Sequence, residues 1–256
     1  MENEKGNKFL FTIAVTLLAV LIIMVLIKTF LFDKNKKENI EVPESLINEL
    51  YSYIDIKKYE SDQSFYAPYY LDGQNLSPLT VARMTYNYIN KHDNFKFEAV
   101  SDEEKQGFED GNITSKIKIK TFEEESTNII NKTNFTLNYY KNTKFDIDDE
   151  TSAFINNDYL YIYKRNDKLE NNMVYYHGLV SYTLMDEGNT IVLTEYFLLC
   201  DKNTNICYDN DNKAKNNYIT YSNNLDASTM TDKLKKYSHT FKKVDEEYKW
   251  FNVEPA

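Results

Sequence analysis

The sequence predicts an α+β fold: an N-terminal transmembrane helix followed by one domain whose helices pack on a curved antiparallel sheet. Three observations predict it. Phe9 to Ile27 is a continuous uncharged run. From Pro43 to His92, apolar residues recur at helical spacing. After His92 the period falls to two, in long runs separated by turn residues.

Composition narrows the class further. The chain has 256 residues, a net charge of -10, and is 42% hydrophobic and 27% charged. That excludes a collagen, a largely disordered chain and a disulfide-stapled miniprotein. With 6 Gly and 4 Pro, the chain is not a flexible linker. Nucleic acid is not an expected partner, because phosphate binding needs clustered Lys and Arg, and Arg83 and Arg165 are the only arginines. The 22 Tyr and 15 Phe could stack on sugars. Strand propensity and a bias towards AT-rich codons account for them more simply.

Residues 1–8 form a short tail and 9–32 the expected membrane helix. At about 1.5 Å per residue, Phe9 to Ile27 reaches roughly the thickness of a hydrocarbon core, and Phe30-Leu31-Phe32 extends it. Lys28 can snorkel to the interface. No pair of small residues for cleavage follows the run, and neither does a lipid-anchor Cys, so a single-pass anchor is expected. The lipid bilayer is then a partner through Phe9 to Phe32. Sidedness is contested: Lys34, Lys36 and Lys37 against Lys5 and Lys8 favour a cytoplasmic domain, whereas the short tail favours an extracytoplasmic one. The outward reading is adopted.

Asp33 to Val42 reads as a polar stalk, and 43–256 as the extracytoplasmic domain. Pro43 opens a helix with a stripe of Leu46, Ile47, Leu50, Tyr51 and Ile54. Ser77-Pro78 starts a second, with Leu79, Ala82, Tyr86 and Ile89 on one face. Phe95, Phe97 and Ala99, and then Ile117 and Ile119, alternate like strands. Glu123 to Ile130 suggests a short helix. A strand-like run ends in Leu160 to Tyr163, after a turn at Asn156-Asn157-Asp158. Val174 to Met185 and Thr190 to Cys200 form a hairpin about Glu187-Gly188. Its register sets Leu184 opposite Ile191, Tyr182 opposite Leu193, Val180 opposite Glu195 and His177 opposite Leu198. Asp209 to Asn224 reads as a loop. Tyr237 to Phe241 and Tyr248 to Val253 form a last hairpin about Asp245-Glu246.

Leu50-Tyr51-Ser52-Tyr53, the long hairpin, Tyr237-Ser238-His239-Thr240-Phe241-Lys242-Lys243 and Tyr248-Lys249-Trp250-Phe251 carry a resemblance. The chain resembles uncharacterised single-pass membrane-anchored proteins of low-GC Gram-positive bacteria. The resemblance implies a nuclear-transport-factor-2-like or cystatin-like exported domain. It brings no function and no catalytic residues.

No cofactor and no metal ligand set is expected. His92, His177 and His239 lack metal-ligand spacing. Asp201-x-Asn203-x-Asn205 begins like a calcium loop, but Ile206 and Asn212 replace the required Gly and Glu. No nucleophile motif is present. Cys200 and Cys207 flank a turn-rich stretch, where opposed hairpin positions suit a disulfide; two ordinary thiols remain the other reading. Glu195 interrupts the apolar face of Ile191, Leu193, Phe197 and Leu199. It lies either at the sheet rim in solvent or in a concave pocket as an acid or base, with Tyr182 nearby. The adopted register puts His177 on the opposite face, so no dyad is expected.

The function expected is a membrane-anchored, non-enzymatic binding or scaffolding domain at the bacterial cell envelope, presenting a concave face or sheet edge to an envelope protein. The alternative is a small-ligand binder or hydrolase with its pocket around Glu195.

Overall fold

A computed structural model describes residues 42–55, 65–67, 69–92, 96–106, 112–131, 135–148, 150–165, 172–210, 213 and 216–256. The tail, span and stalk expected over positions 1–41 lie outside them. Four α-helices are described. Helix α1 is Glu44–Ile54, α2 Pro78–His92, α3 Asp102–Gln106 and α4 Ile119–Ile129. The strands are β1 Leu71–Asp72, β2 Asn112–Lys118, β3 Lys144–Asp146, β4 Thr151–Asn156, β5 Tyr159–Lys164 and β6 Met173–Met185. Then come β7 Thr190–Asp201, β8 Ile206–Tyr208, β9 Asn216–Thr220, β10 Lys235–Val244 and β11 Glu247–Pro255.

This is a sheet-dominated α+β domain, and the membrane part of the expected fold class is corrected. Among the described residues, no helix is long and apolar enough to cross a membrane. The longest, α2, has 15 residues and ends in Lys91 and His92. At about 1.5 Å per residue it falls short of a hydrocarbon core of roughly 30 Å. The transmembrane and single-pass membrane assignments are therefore withdrawn; Phe9 to Phe32, on which they rested, is outside the described residues.

Helices α1 and α2 follow from their sequences. Pro43 precedes the first turn of α1, and Ile47, Leu50, Tyr53 and Ile54 are buried. The Ser77 hydroxyl accepts the Thr80 amide at 3.1 Å and so caps α2. Helix α2 buries more than a stripe: Thr80, Val81, Arg83, Met84 and Thr85 are enclosed along with Leu79, Ala82 and Ile89. Arg83 satisfies itself by donating twice, at 3.1 and 2.9 Å, to the Asp146 carbonyl of β3. Helix α4 is longer than expected and displaces the strand expected through Ile119, because Phe122, Ser126 and Ile129 recur at helical spacing and are buried. Of the strand expected over Phe95 to Ala99, the described part keeps a single bridge, Glu98 to Lys116. The loop expected over Asp209 to Asn224 contains β9.

Two antiparallel sheets frame the core. One has seven strands in the order β1-β11-β10-β7-β8-β9, with β6 also paired to β7. The other has four, in the order β2-β5-β4-β3. Along one side β7 meets β6 throughout; along the other it meets β10 as far as Phe197 and β8 from Leu199. One apolar cluster joins Ile191, Leu193, Phe197, Trp250 and Val253 of the first sheet to Ile117, Ala153 and Leu160 of the second and to the three longer helices.

The β6–β7 hairpin keeps its expected register near the turn, with Leu184 opposite Ile191 and Tyr182 opposite Leu193. Met185 pairs with Thr190, so the connection is longer than a two-residue turn. Asp186, Glu187 and Gly188 all take positive φ there, and Asp186 accepts the Thr190 hydroxyl at 2.9 Å. Beyond Ser181, which still pairs with Thr194, the register differs. A bulge between Leu179 and Ser181 places Leu179, not Val180, opposite Glu195, and His177 opposite Phe197. One inserted residue changes which face every later side chain occupies.

Gly73 sits where backbones converge. A Cβ there would lie 2.5 Å from the Asn131 carbonyl oxygen. Both neighbours are fixed, Gly73 donating to the Phe251 carbonyl and Asn131 to that of Trp250. A Cβ on Gly178 would meet the half-buried ring of Tyr196 at 2.8 Å, and a side chain can swing aside. In urea denaturation Gly73→Ala is expected to lose about 1–3 kcal/mol and Gly178→Ala clearly less. Equal losses would contradict this packing.

Candidate functional site

Glu195, in the middle of β7, is fully buried rather than at a rim. An ionised carboxylate is tolerated there only with several donors. Its Oε1 lies 2.7 Å from His239 Nε2 on β10, and its Oε2 3.2 Å from His177 Nδ1 on β6. The Tyr51 hydroxyl of α1 donates to Oε2 at 3.2 Å. The bulge is what brings His177 here: it turns the imidazole onto the face that carries Glu195, where the unbroken register had put it on the other.

An outer set of partners fixes the imidazoles. Trp250 Nε1 can only donate, and it points at His239 Nδ1 from 3.2 Å. That assigns the His239 proton to Nε2, facing Glu195. His177 meets carboxylates on both sides, with Asp55 Oδ1 3.3 Å from its Nε2. Two acceptors are served fully only by the imidazolium, which donates from both nitrogens. Burial disfavours that cation, but the hydrogen bond to Glu195 and the charges of Glu195 and Asp55 outweigh it, so the His177 pKa is raised. Burial likewise disfavours the Glu195 anion. The hydrogen bonds from both imidazoles and the positive charge beside it prevail, and its carboxyl is held well below the usual range. Burial, then the charges of Glu195 and Asp55, push the Tyr51 phenol far up, so it stays a donor.

Aromatic rings close the surroundings. Tyr66 stacks on Phe197 at 3.8 Å between centroids, and Phe65 meets the His239 ring edge-on at 5.1 Å. Tyr175 stacks against His177 at 5.5 Å. Phe65, Tyr66, Phe197, Tyr237 and Trp250 are all buried. A carboxylate kept ionised and already engaged at both oxygens is a poor general base, since that role needs a pKa near the working pH. The arrangement instead ties α1, β6, β7 and β10 together at one point.

Tyr182 is not brought to Glu195: it stands opposite Leu193 and is 46% exposed. His92 occupies the last turn of α2, as expected, with its Nε2 2.9 Å from the Tyr53 hydroxyl and 3.6 Å from Glu49. Among the described residues, no group of three or more His, Cys, Asp or Glu is arranged to hold a metal ion. Asp201 uses its carboxylate on the Asn203 amide, at 2.8 Å, in a local turn.

Cys200 and Cys207 are joined by a disulfide across β7 and β8, where they face each other in register. Both are buried in a second apolar cluster with Leu198, Ala227 and Leu234.

The sequence reading missed the Glu195–His177 contact because it carried the register through unbroken. The available signal was Gly178, since a glycine inside a strand often marks a bulge. No family model, no curated protein and no solved structure matches the chain.

Two expectations follow from this geometry. The lowered Glu195 pKa stabilises the fold above the ordinary value of 4.5, and that contribution is lost as pH falls towards the folded value. The raised His177 pKa stabilises it below the ordinary 6.5, and that contribution is lost as pH rises through the folded value. Thermal midpoints between pH 3 and 9 should therefore be highest between those two ordinary values and fall on both sides. A midpoint that climbs steadily to pH 9 would contradict the ionised pair. Separately, reducing the disulfide should cost about 2–3 kcal/mol for so short a loop, read from denaturation with and without reductant.

Proposed function

We propose that the chain is a non-enzymatic binding domain that takes an extended segment of a partner protein along the outer edge of β6. The observation that carries this reading is the strand itself. Its 13 residues, Met173–Met185, contain no Asp, Glu, Lys or Arg, in a chain of which those four types make up 27%. Over Val180 to Met185, β7 pairs on one side, and no described strand pairs on the other. Val180, Tyr182 and Met185 are exposed. Proteins ordinarily protect such an edge with charge, and the four-stranded sheet does so, with exposed Lys118 on β2 and Lys144 on β3. An edge left uncharged suits strand addition, in which backbone hydrogen bonds hold the partner and alternate side chains select it.

Charge argues for what the partner carries. Asp186 and Glu187 stand exposed at the end of this edge, and the chain as a whole is acidic. A second copy would add like charge. A partner segment alternating apolar and polar residues, with Lys or Arg beside Asp186 and Glu187, complements the edge. The buried disulfide supports an oxidising compartment outside the cytoplasm as the place of action. The hydrolase alternative has no comparable support, because Glu195 is enclosed and its oxygens are engaged.

A photoreactive residue replacing Tyr182 tests the proposal. A discrete adduct is expected, mapping by mass spectrometry to an uncharged β-prone segment of another protein flanked by Lys or Arg. Thr183→Lys, which puts a charge on the edge, should abolish it. An adduct only with a second copy, or one indifferent to Thr183→Lys, would overturn the proposal.

A further inference from the structure

His177 belongs to β6, yet its outer nitrogen reaches the end of α1. The ring is almost enclosed, with 7% of its side chain exposed, while Asp55 is 37% exposed and opens the pair to solvent. Among the described residues, the titratable groups around the imidazole come from four elements and from the segment that carries Tyr66. They are Tyr51 and Asp55 of α1 and its cap, Glu195 of β7 with His239 of β10 at its other oxygen, Tyr66, and Tyr175 on β6 itself. Asp55 is also the residue that closes α1, its amide donating to the Tyr51 carbonyl at 2.9 Å.

We propose that His177 is a protonation-controlled latch: with both ring nitrogens protonated it clamps the last turn of α1 to the β6–β7 ribbon, and loss of one proton releases that turn. This inference goes beyond the partner-binding reading and does not depend on it.

The Tyr51 hydroxyl explains why a neutral imidazole cannot keep the clamp. It lies 3.2 Å from Glu195 Oε2 and 3.3 Å from His177 Nδ1, within reach of both. With His177 cationic, Nδ1–H and the Tyr51 hydroxyl both donate to Glu195, and Nε2–H donates to Asp55. When the proton leaves Nε2, a lone pair faces the Asp55 carboxylate and repels it. When it leaves Nδ1 instead, Tyr51 turns its proton to that nitrogen, and Glu195 loses both the His177 and the Tyr51 donor. In both cases a buried carboxylate and Asp55 share one region without the cation between them. Glu195 is enclosed by strands on both sides. Asp55, at a helix end and partly in water, is the group that moves.

The test is amide hydrogen exchange on the full chain, corrected for intrinsic rates, between pH 5 and 9, alongside NMR titration of the His177 ring. Protection of the Asp55 amide should fall by up to about tenfold for each unit by which folding raises the His177 pKa, while Ile89 within α2 stays protected. His177→Gln should remove the pH dependence. Asp55→Asn, at a partly exposed position, should lower the His177 midpoint towards its ordinary 6.5. Should His177→Gln fail to fold, the Asp55→Asn titration decides alone. Constant Asp55 protection, an unchanged fall in His177→Gln, or an unmoved midpoint in Asp55→Asn would each overturn the latch.

Discussion

A fully buried carboxylate has to be surrounded by donors, and the donors for Glu195 come from separate elements of the chain. His177 arrives on β6, His239 on β10 and Tyr51 on α1. None of these three can shift far without leaving a charge unsatisfied in an apolar interior, which is among the costliest defects a fold can hold. The requirement fixes the order of strands around β7 and the placement of α1 across them. Trp250 adds β11 by fixing the tautomer of His239. An apolar residue of similar size at position 195 would satisfy the core equally well, but it would not specify which face of β6 turns inward.

That specification matters because β6 is loosely determined otherwise. Its side chains are mostly half-buried or exposed, and its outer half has both faces near water. Alternation of apolar and polar residues alone would let it slide by one position. The bulge between Leu179 and Ser181 sets the register, and the His177–Glu195 contact rewards only that setting. Gly178 gives the ribbon room to bend against the ring of Tyr196. The same strand thus has an inner half held by buried polar contacts and an outer half that presents its edge.

Much of the architecture is legible from residue types. Pro43 and Ser77-Pro78 mark two helix starts, because cap chemistry is local. Both long hairpins follow from alternation and turn residues; the same features set Cys200 near Cys207 without deciding between a disulfide and two thiols. The start of α4 at Ile119 was not legible, since Ile117 and Ile119 fit a strand as well as a helix until Phe122, Ser126 and Ile129 are seen buried together. The site was the least legible part. Glu195 could be singled out as a carboxylate on an apolar face, but its partners depend on one inserted residue in β6 and on the end of a helix more than a hundred positions earlier. Sequence spacing carries neither. The membrane helix read from Phe9 to Phe32 rested on hydropathy alone, and none of the described helices has the length or character to cross a bilayer.

The central claim is that Glu195 is ionised in the core and held so by two imidazoles. The most direct measurement is the side-chain carboxyl carbon shift of Glu195, followed by NMR in the intact chain from pH 3 to 7. An ionised carboxylate throughout the range above 4.5, titrating only below that ordinary value, is the result this structure requires. A carboxyl still protonated near neutral pH would contradict it, and would make Glu195 a neutral core residue instead of the charge around which the strands are ordered.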